Sequence, residues 1–253
     1  MGKKKGDTTT VMDQIELVRK KRGGILRLRS TIVLVNQLID DSGSIESAGN
    51  TEPIIEGFNL SLAELEQSRR DDIFTSAHFM TDGSIFRARP PRMATRLSRD
   101  NFRPQHMTPL YDSTMLVLRE SIEYANSCAQ ECRTFTMIYS DGEDTSSKRN
   151  RAKDVKAVVD EMFATENHIV AATGFWNGNT DFYRVFEAMG IPRRFIQCPG
   201  REPQQTSRSF THTSHTVVMG TRSDEDWEKT QTMGLHTDDS DRGSDRTPTP
   251  STH

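Results

Sequence analysis

The sequence has 253 residues, of which 33% are hydrophobic and 27% charged, and its net charge is −3 at pH 7. The apolar fraction is low for a wholly globular chain, in which nearly half of the residues are apolar, so we predict one domain with polar ends. No apolar run approaches the roughly 18–20 residues that a membrane span needs, and none follows the lysines at positions 3–5, as a secretory signal requires. We therefore expect a soluble, cytoplasmic protein.

The charge is unevenly distributed along the chain. Residues 1–30 carry nine Lys or Arg against three acidic residues, and residues 221–253 carry eight acidic residues against four Lys or Arg. We predict a basic, helical arm over residues 1–24, a folded domain over 25–220, and an acidic, disordered tail over 221–253. The basic cluster at 19–22 has no aromatic residues between its charges, so we expect no nucleic-acid partner.

Apolar periodicity predicts alternating strands and helices through the central domain. Aspartate and glycine at positions 82 and 83 predict a hairpin turn between the second and third strands. Strands that alternate with helices indicate a doubly wound α/β fold of Rossmann type, with a mostly parallel sheet, one antiparallel edge strand and helices on both faces. The predicted strands are 26–39, 73–80, 84–88, 134–139, 169–175 and 194–197, and the predicted helices are 53–70, 111–132, 152–164, 181–189 and 210–219.

The first predicted strand contains Asn36 and Gln37, which are unusual in a strand buried on both faces. Either the strand is offset along the sequence, or the two amides find hydrogen-bond partners.

The chain has three cysteines, which is an odd number. Because Cys128 and Cys132 fall four residues apart in a predicted helix without a metal-binding spacing, we expect buried thiols and no metal site.

Oxygen-bearing side chains follow two of the predicted strands directly. Residues 40–44 read Asp-Asp-Ser-Gly-Ser, and residues 140–144 read Ser-Asp-Gly-Glu-Asp. Carboxylates and hydroxyls are hard ligands that suit a small divalent cation such as Mg²⁺ or Mn²⁺. Taken alone, a turn rich in serine and aspartate after a strand is also common without any metal. Ligand sites in such sheets lie outside the carboxyl ends of the strands, where both segments are predicted to fall.

Together with Thr108-Pro109-Leu110-Tyr111-Asp112, which opens a predicted helix, these two segments resemble the von Willebrand factor A (vWA) family over about residues 26–200. Five residues match its metal-ion-dependent adhesion site, namely Asp40, Ser42, Ser44, Thr108 and Asp141. The resemblance implies that the two serines and the threonine are direct ligands, whereas the two aspartates act largely through water. It also implies that an acidic residue of a partner protein completes the metal shell.

The resemblance implies an intracellular, non-enzymatic adaptor. Family members often work beside AAA+ ATPases, and since this chain has no phosphate-binding loop, such a partner would act in trans. Glu143, Asp144 and Trp176 are predicted to form the rim that contacts the partner, although the two acids can also belong to a solvated turn and Trp176 to a tucked one. Two alternatives stay open: a metal-dependent phosphoester hydrolase on a similar fold, which would need a second acid at position 42, and a scaffold whose metal site is vestigial.

Overall fold

The computed structural model describes residues 31–68, 72–178 and 180–235. A six-stranded sheet of order β3-β2-β1-β4-β5-β6 forms the centre of this part of the chain. Every pairing is parallel except that of β2 with the edge strand β3, which confirms the predicted sheet. The strands are β1 (Ile32–Ile39), β2 (Ile73–Phe79), β3 (Gly83–Arg89), β4 (Cys132–Ser140), β5 (His168–Gly174) and β6 (Ile196–Gln197).

Seven α-helices lie within the described residues. Two of them, α1 and α7, were not predicted from the sequence; α1 is one short turn directly after the first polar loop. Within the described part of the chain, no helix combines the length and apolar character that a membrane span requires. The helices are α1 (Gly43–Ser47), α2 (Thr51–Glu66), α3 (Leu110–Ser127), α4 (Ala152–Ala164), α5 (Phe182–Ala188), α6 (Pro203–Gly220) and α7 (Asp224–Met233).

The central strand β1 is buried at all eight positions, and its two amides have partners. The Asn36 side chain donates to Ser121 Oγ on α3 at 2.5 Å, and the Gln37 side chain accepts from Ser61 Oγ on α2 at 3.3 Å. Successive strand residues face opposite sides of a sheet, so α2 and α3 cover opposite faces. The second explanation for the amides is therefore confirmed, although Gln37 Nε2 has no partner within the described residues.

Helix α6 packs on the same face of the sheet as α2 and in contact with that helix. The Phe210 ring on α6 stacks on buried Tyr139 of β4, with ring centroids 3.9 Å apart. A β-carbon on Gly57 of α2 would lie 2.9 Å from Ser207 Cα of α6. Since real β-carbons do not approach a backbone atom so closely, glycine lets the two helices pack in contact.

Two sequence predictions were wrong in their details. The helix expected over 111–132 ends at Ser127, and Cys132 begins β4, so the two cysteines do not share a helix. The tail expected to be disordered from residue 221 contains α7, in which Trp227 is buried. The predicted arm over residues 1–24 and the tail beyond residue 235 lie outside the described residues.

Helix α7 docks through a cluster of contacts around Arg133, the second residue of β4. The guanidinium lies 5.2 Å from the centroid of the Trp227 ring and pairs with Asp224 at 2.7 Å. The indole nitrogen of Trp227 donates to the carbonyl oxygen of Glu166 at 2.7 Å. These contacts fasten the polar helix α7, ten residues long, to β4 and to the segment before β5.

Candidate metal centre

The two polar loops meet because β1 and β4 are neighbours. Ile39 is in register with Tyr139, and the amide of Asp40 donates to the carbonyl oxygen of Tyr139 at 2.9 Å. The chain continues from β1 to its neighbour β2 on one side and from β4 to its neighbour β5 on the other, so the strand order reverses between β1 and β4. This reversal is the position at which doubly wound sheets bind ligands, and the chain places Asp40 and Asp141 there.

A chain of hydrogen bonds joins the two loops. The backbone amide of Ser42 donates to Asp40 Oδ1 at 2.9 Å, and the hydroxyls of Ser42 and Ser44 lie 2.9 Å apart. Ser44 Oγ donates to Asp141 Oδ1 at 2.7 Å. On the other side, Ser140 Oγ donates to Asp40 Oδ2 at 2.6 Å. Ser140 was not among the predicted site residues, although it directly precedes Asp141 at the end of the strand.

Thr108 reaches the same place from the segment before α3. Its carbonyl oxygen accepts from the Thr145 amide at 2.9 Å, and its own amide donates to Thr145 Oγ1 at 2.9 Å. Its hydroxyl oxygen lies 3.8 Å from the position that a β-carbon on Gly142 would occupy. The structure therefore brings all five residues of the predicted metal site to one edge of the sheet.

The two carboxyl groups are buried beside each other. Both Asp40 and Asp141 are fully shielded from solvent. Burial raises the pKa of Asp40, although hydrogen bonds from Ser140 and Ser42 oppose the rise. Burial also raises the pKa of Asp141 to about 6, and the negative charge of Asp40 adds to this increase. The cluster is thus electrostatically unfavourable as it stands, because two like charges share a dry environment.

One carboxylate oxygen in this cluster accepts no hydrogen bond from the described residues. Asp141 Oδ2 is buried and has no hydrogen-bond partner in residues 31–68, 72–178 or 180–235. A buried oxygen acceptor without a donor is costly and calls for an explanation such as an ion. Two carboxylates and three hydroxyls also form the donor set that a hard divalent cation prefers. On these observations the residues fit a magnesium-type ion.

The predicted rim residues differ in what they contact. Exposed Glu143 pairs with Arg184 at 2.6 Å. Asp144 is committed to the local fold, since it accepts from the amide of Tyr111 at 3.3 Å and from the hydroxyl of Ser147. The structure therefore leaves Glu143 on the surface and gives Asp144 a structural role.

Trp176 lies beside the metal-site loop with 40% of its surface exposed. The amide of Phe175 donates to the Ser140 carbonyl at 2.8 Å, and the side chain of Asn177 donates to the Asp141 carbonyl. The guanidinium of Arg201 covers the Trp176 ring at 4.2 Å from its centroid. The indole is thus held next to the site and still reaches solvent.

Asp41, which the motif leaves unspecified, organises the neighbouring turn. Its carboxylate accepts from the amide and hydroxyl of Thr81 and from the amide of Asp82. Together with Asp82 and His106, it offers ligand atoms within 4.8 Å of one another, a second arrangement that can hold a metal. Because the Asp41 carboxylate already accepts three hydrogen bonds, and His106 Nε2 lies 3.3 Å from Asp82 Oδ1, we regard this group as a turn-stabilising contact.

Asp112 anchors the loop that follows Asp141. Its carboxylate accepts from the amides of Lys148, Arg149 and Asn150 and from the Asn150 side chain. We expect Asp112→Ala to lower the free energy of unfolding by about 2 kcal/mol, since three backbone donors lose a charged acceptor. Urea denaturation tests this. Glu161→Ala, which removes an exposed carboxylate on α4, is the control, and an equal effect of both substitutions would contradict the anchoring role.

No protein-family model matches the sequence, and a search of curated proteins finds no match. Solved structures do match the fold, among them the pilus adhesin SpaC of Lactobacillus rhamnosus GG, with a TM-score of 0.56 and 12% identity over 76% of this chain. Proximal thread matrix protein 1 of the mussel byssus has a TM-score of 0.52 and 12% identity over 73% of this chain. The matches span only 30% of the adhesin and 48% of the byssus protein.

A third similar structure is the vWF domain of the type V pili tip protein Mfa5 from Porphyromonas gingivalis. Its TM-score is 0.52 and its identity 10%, and the match covers 78% of this chain and 98% of that domain. At such low identity the likeness concerns the fold alone. The chain therefore has the fold of a von Willebrand factor A domain.

Proposed function

We propose that the chain is a divalent-metal-dependent protein-binding module. In this proposal Ser42, Ser44 and Thr108 bind Mg²⁺ or Mn²⁺ directly, and Asp40 and Asp141 act on the ion largely through water. The observation that carries the proposal is the unpartnered, buried Asp141 Oδ2 beside a second buried carboxylate. A bound cation would offset the negative charge of these two carboxylates. It would also offer an electrophilic coordination position for one more oxygen ligand.

The layout of the residues supports a partner that approaches from solvent. Asp40 and Asp141 are buried, whereas Ser44, in the short helix α1, is exposed. The direct hydroxyl ligands are neutral, so the bound ion would remain electrophilic and attract a carboxylate. We propose that the partner is a protein presenting Asp or Glu, with Glu143 and Trp176 at the rim of the contact.

The identity of the partner rests on the resemblance. An AAA+ ATPase acting in trans, a cytoplasmic location and an adaptor role are proposals of this kind, because the same fold also serves a pilus adhesin. The presence of a vWA fold supports an interaction module.

The hydrolase alternative is disfavoured by the position of Asp40. A nucleophilic aspartate must reach the phosphorus atom of its substrate, but Asp40 is fully buried and both of its carboxylate oxygens accept hydrogen bonds. The residue two positions on is Ser42, where a second acid would be required. We therefore propose that the chain is not an enzyme.

Calorimetric titration of chelator-treated protein with Mg²⁺ and Mn²⁺ tests the proposal. We expect the wild type to bind one ion, and the double variant Asp40→Ala/Ser42→Ala to lose binding. Ser47→Ala is the matched control, since its hydroxyl lies on the same short helix but bonds the carbonyl oxygen of Gly43. An absence of heat and of thermal stabilisation in the wild type would indicate the vestigial scaffold.

A further inference from the structure

Positive charge is concentrated on the loop that follows the candidate metal centre and on the first turn of α4. We call residues 148–153 the basic segment. None of its cationic side chains forms an ion pair within the described part of the chain, whereas Lys156, three residues further along α4, pairs with Asp160 at 2.9 Å. The carboxylates of Asp112 and Asp154, which contact the backbone of the segment, offset only half of its positive charge. The four cationic side chains are all exposed, namely Lys148, Arg149, Arg151 and Lys153.

The backbone of the basic segment is fastened to the first turn of α3. The Asp112 carboxylate accepts from the amide of Lys148 at 2.7 Å and from that of Asn150 at 2.8 Å. Directly before the segment, Ser147 Oγ accepts from the amides of Tyr111 and Asp112 at 3.1 and 3.0 Å. A backbone that is already fixed has little entropy to lose when a partner binds. The positive charges therefore form a preorganised surface.

The basic segment lies beside the candidate metal centre, on the side of Thr108. The carbonyl oxygen of Thr108 accepts from the amide of Thr145 at 2.9 Å and from that of Ser146 at 3.3 Å. Lys148 follows Thr145 by three residues, so the Cα atoms of these two residues lie within about 11 Å of each other. An extended peptide advances roughly 3.3 Å per residue, so about four or five residues reach from the metal to the segment.

We propose that the partner of the metal site is an acidic segment of another protein, in which several Asp or Glu residues lie next to the one that binds the metal. This inference rests on the proposed function and adds the chemistry of the partner to it. One carboxylate completes the shell of the ion, and its neighbours contact Lys148, Arg149 and Arg151. A single carboxylate distinguishes poorly between proteins that all expose Asp and Glu, whereas complementary runs of charge give specificity and speed association.

Nucleic acid, which also carries repeated negative charge, fits the basic segment less well. Surfaces that bind single strands combine their positive charges with aromatic side chains on which the bases stack. Residues 145–153 read Thr-Ser-Ser-Lys-Arg-Asn-Arg-Ala-Lys and contain no aromatic residue. The neighbouring metal site also favours a carboxylate ligand in the proposed function, so a protein segment accounts for both features.

Fluorescence anisotropy with two labelled Gly-Ser peptides tests the inference on the full chain. One peptide contains a single Asp, and the other carries four Glu residues after the same Asp. In saturating Mg²⁺ and physiological salt, we expect the acidic peptide to bind about tenfold more tightly, which is the combined effect of a few exposed ion pairs. The triple variant Lys148→Gln/Arg149→Gln/Arg151→Gln should lose this difference and keep the Mg²⁺ affinity of the wild type in calorimetry.

The matched control is Arg89→Gln/Arg119→Gln/Arg222→Gln, which removes the same charge from exposed positions elsewhere. Arg89 ends β3, Arg119 lies within α3, and Arg222 follows α6. We expect this variant to retain the preference for the acidic peptide.

The outcomes separate this inference from the proposed function. An acidic peptide that requires Mg²⁺ but binds the triple variant as tightly as the wild type would overturn the inference and leave the proposed function intact. Binding that the triple variant loses but that chelator does not change would instead contradict the metal contact and the proposed function together. A wild-type protein that binds neither peptide, or that prefers a single-stranded oligonucleotide of the same charge, would also refute the acidic partner.

Discussion

Replacing Asp141 with Asn is expected to stabilise the metal-free protein at pH 7 while abolishing its response to Mg²⁺. The pKa of Asp141 is raised to about 6 from an ordinary 3.8, first by burial and then by the charge of Asp40. A shift of this size costs roughly 3 kcal/mol once the group is ionised, because each pKa unit corresponds to about 1.4 kcal/mol. Since the new amide must itself find an acceptor, we expect a net gain of about 2 kcal/mol.

The sign of the pH dependence follows from the direction of the shift. Between pH 4 and pH 6 the folded protein holds a proton on Asp141 that the unfolded chain has already lost. The stability of the wild type relative to Asp141→Asn is therefore full below about pH 4 and falls as the pH rises through 6. His78, whose pKa burial lowers to about 4, titrates in the same window. It is common to both proteins, so it cancels in the difference.

Saturating Mg²⁺ is expected to reverse the order of the two proteins. An ion present at a hundred times its dissociation constant stabilises the wild type by about 2.7 kcal/mol and leaves a variant that cannot bind it unchanged. Urea denaturation with chelator and with Mg²⁺, at pH 4 and pH 7, measures four free energies of unfolding for each of the two proteins. If Asp141→Asn were less stable than the wild type in chelator at pH 7, the paired buried carboxylates would not be the source of the strain.

The sequence was sufficient to place Asp40 and Asp141 at the same edge of the sheet. Apolar runs mark where β1 and β4 end, and parallel strands bring their carboxyl ends to one edge of the sheet. The neighbour relation of these two strands and the arrival of Thr108 came from the resemblance to a known family, because no local pattern states which strands pair. The fold class, the edge hairpin at position 83 and the two loops were therefore predictable.

The hydrogen-bond partners of the two loop aspartates at positions 40 and 41 were not predictable. The hydroxyl that supports Asp40 comes from Ser140, a hundred residues away, and Asp41 is satisfied by donors about forty residues away. Neither contact produces a periodic pattern in the sequence. The same is true of α7, in which Trp227 and Thr230 are the buried residues. An acidic segment with a single aromatic residue has the composition of a disordered tail, so only its contacts reveal a helix.

Replacing Trp227 with Ala is expected to lower the free energy of unfolding by about 3–5 kcal/mol, as the loss of a large buried aromatic side chain does. The indole is 3% exposed, donates to the Glu166 carbonyl and covers the Arg133 guanidinium. Its removal leaves the Arg133 guanidinium buried without an aromatic ring over it, which adds to the cost of the cavity. Urea denaturation measures the change, and circular dichroism should show a loss of helix.

Lys229→Ala is the matched control, because Lys229 lies on the same helix and makes only an exposed pair with Glu225 at 2.7 Å. We expect that variant to unfold nearly as the wild type does, since exposed pairs along a helix contribute little. A truncation after Gly220 should reproduce the effect of Trp227→Ala, because it removes the same contacts with Arg133 and Glu166. If the truncated protein were as stable as the full chain, α7 would not be part of the folded domain, and the tail would behave as the composition of residues 221–253 predicts.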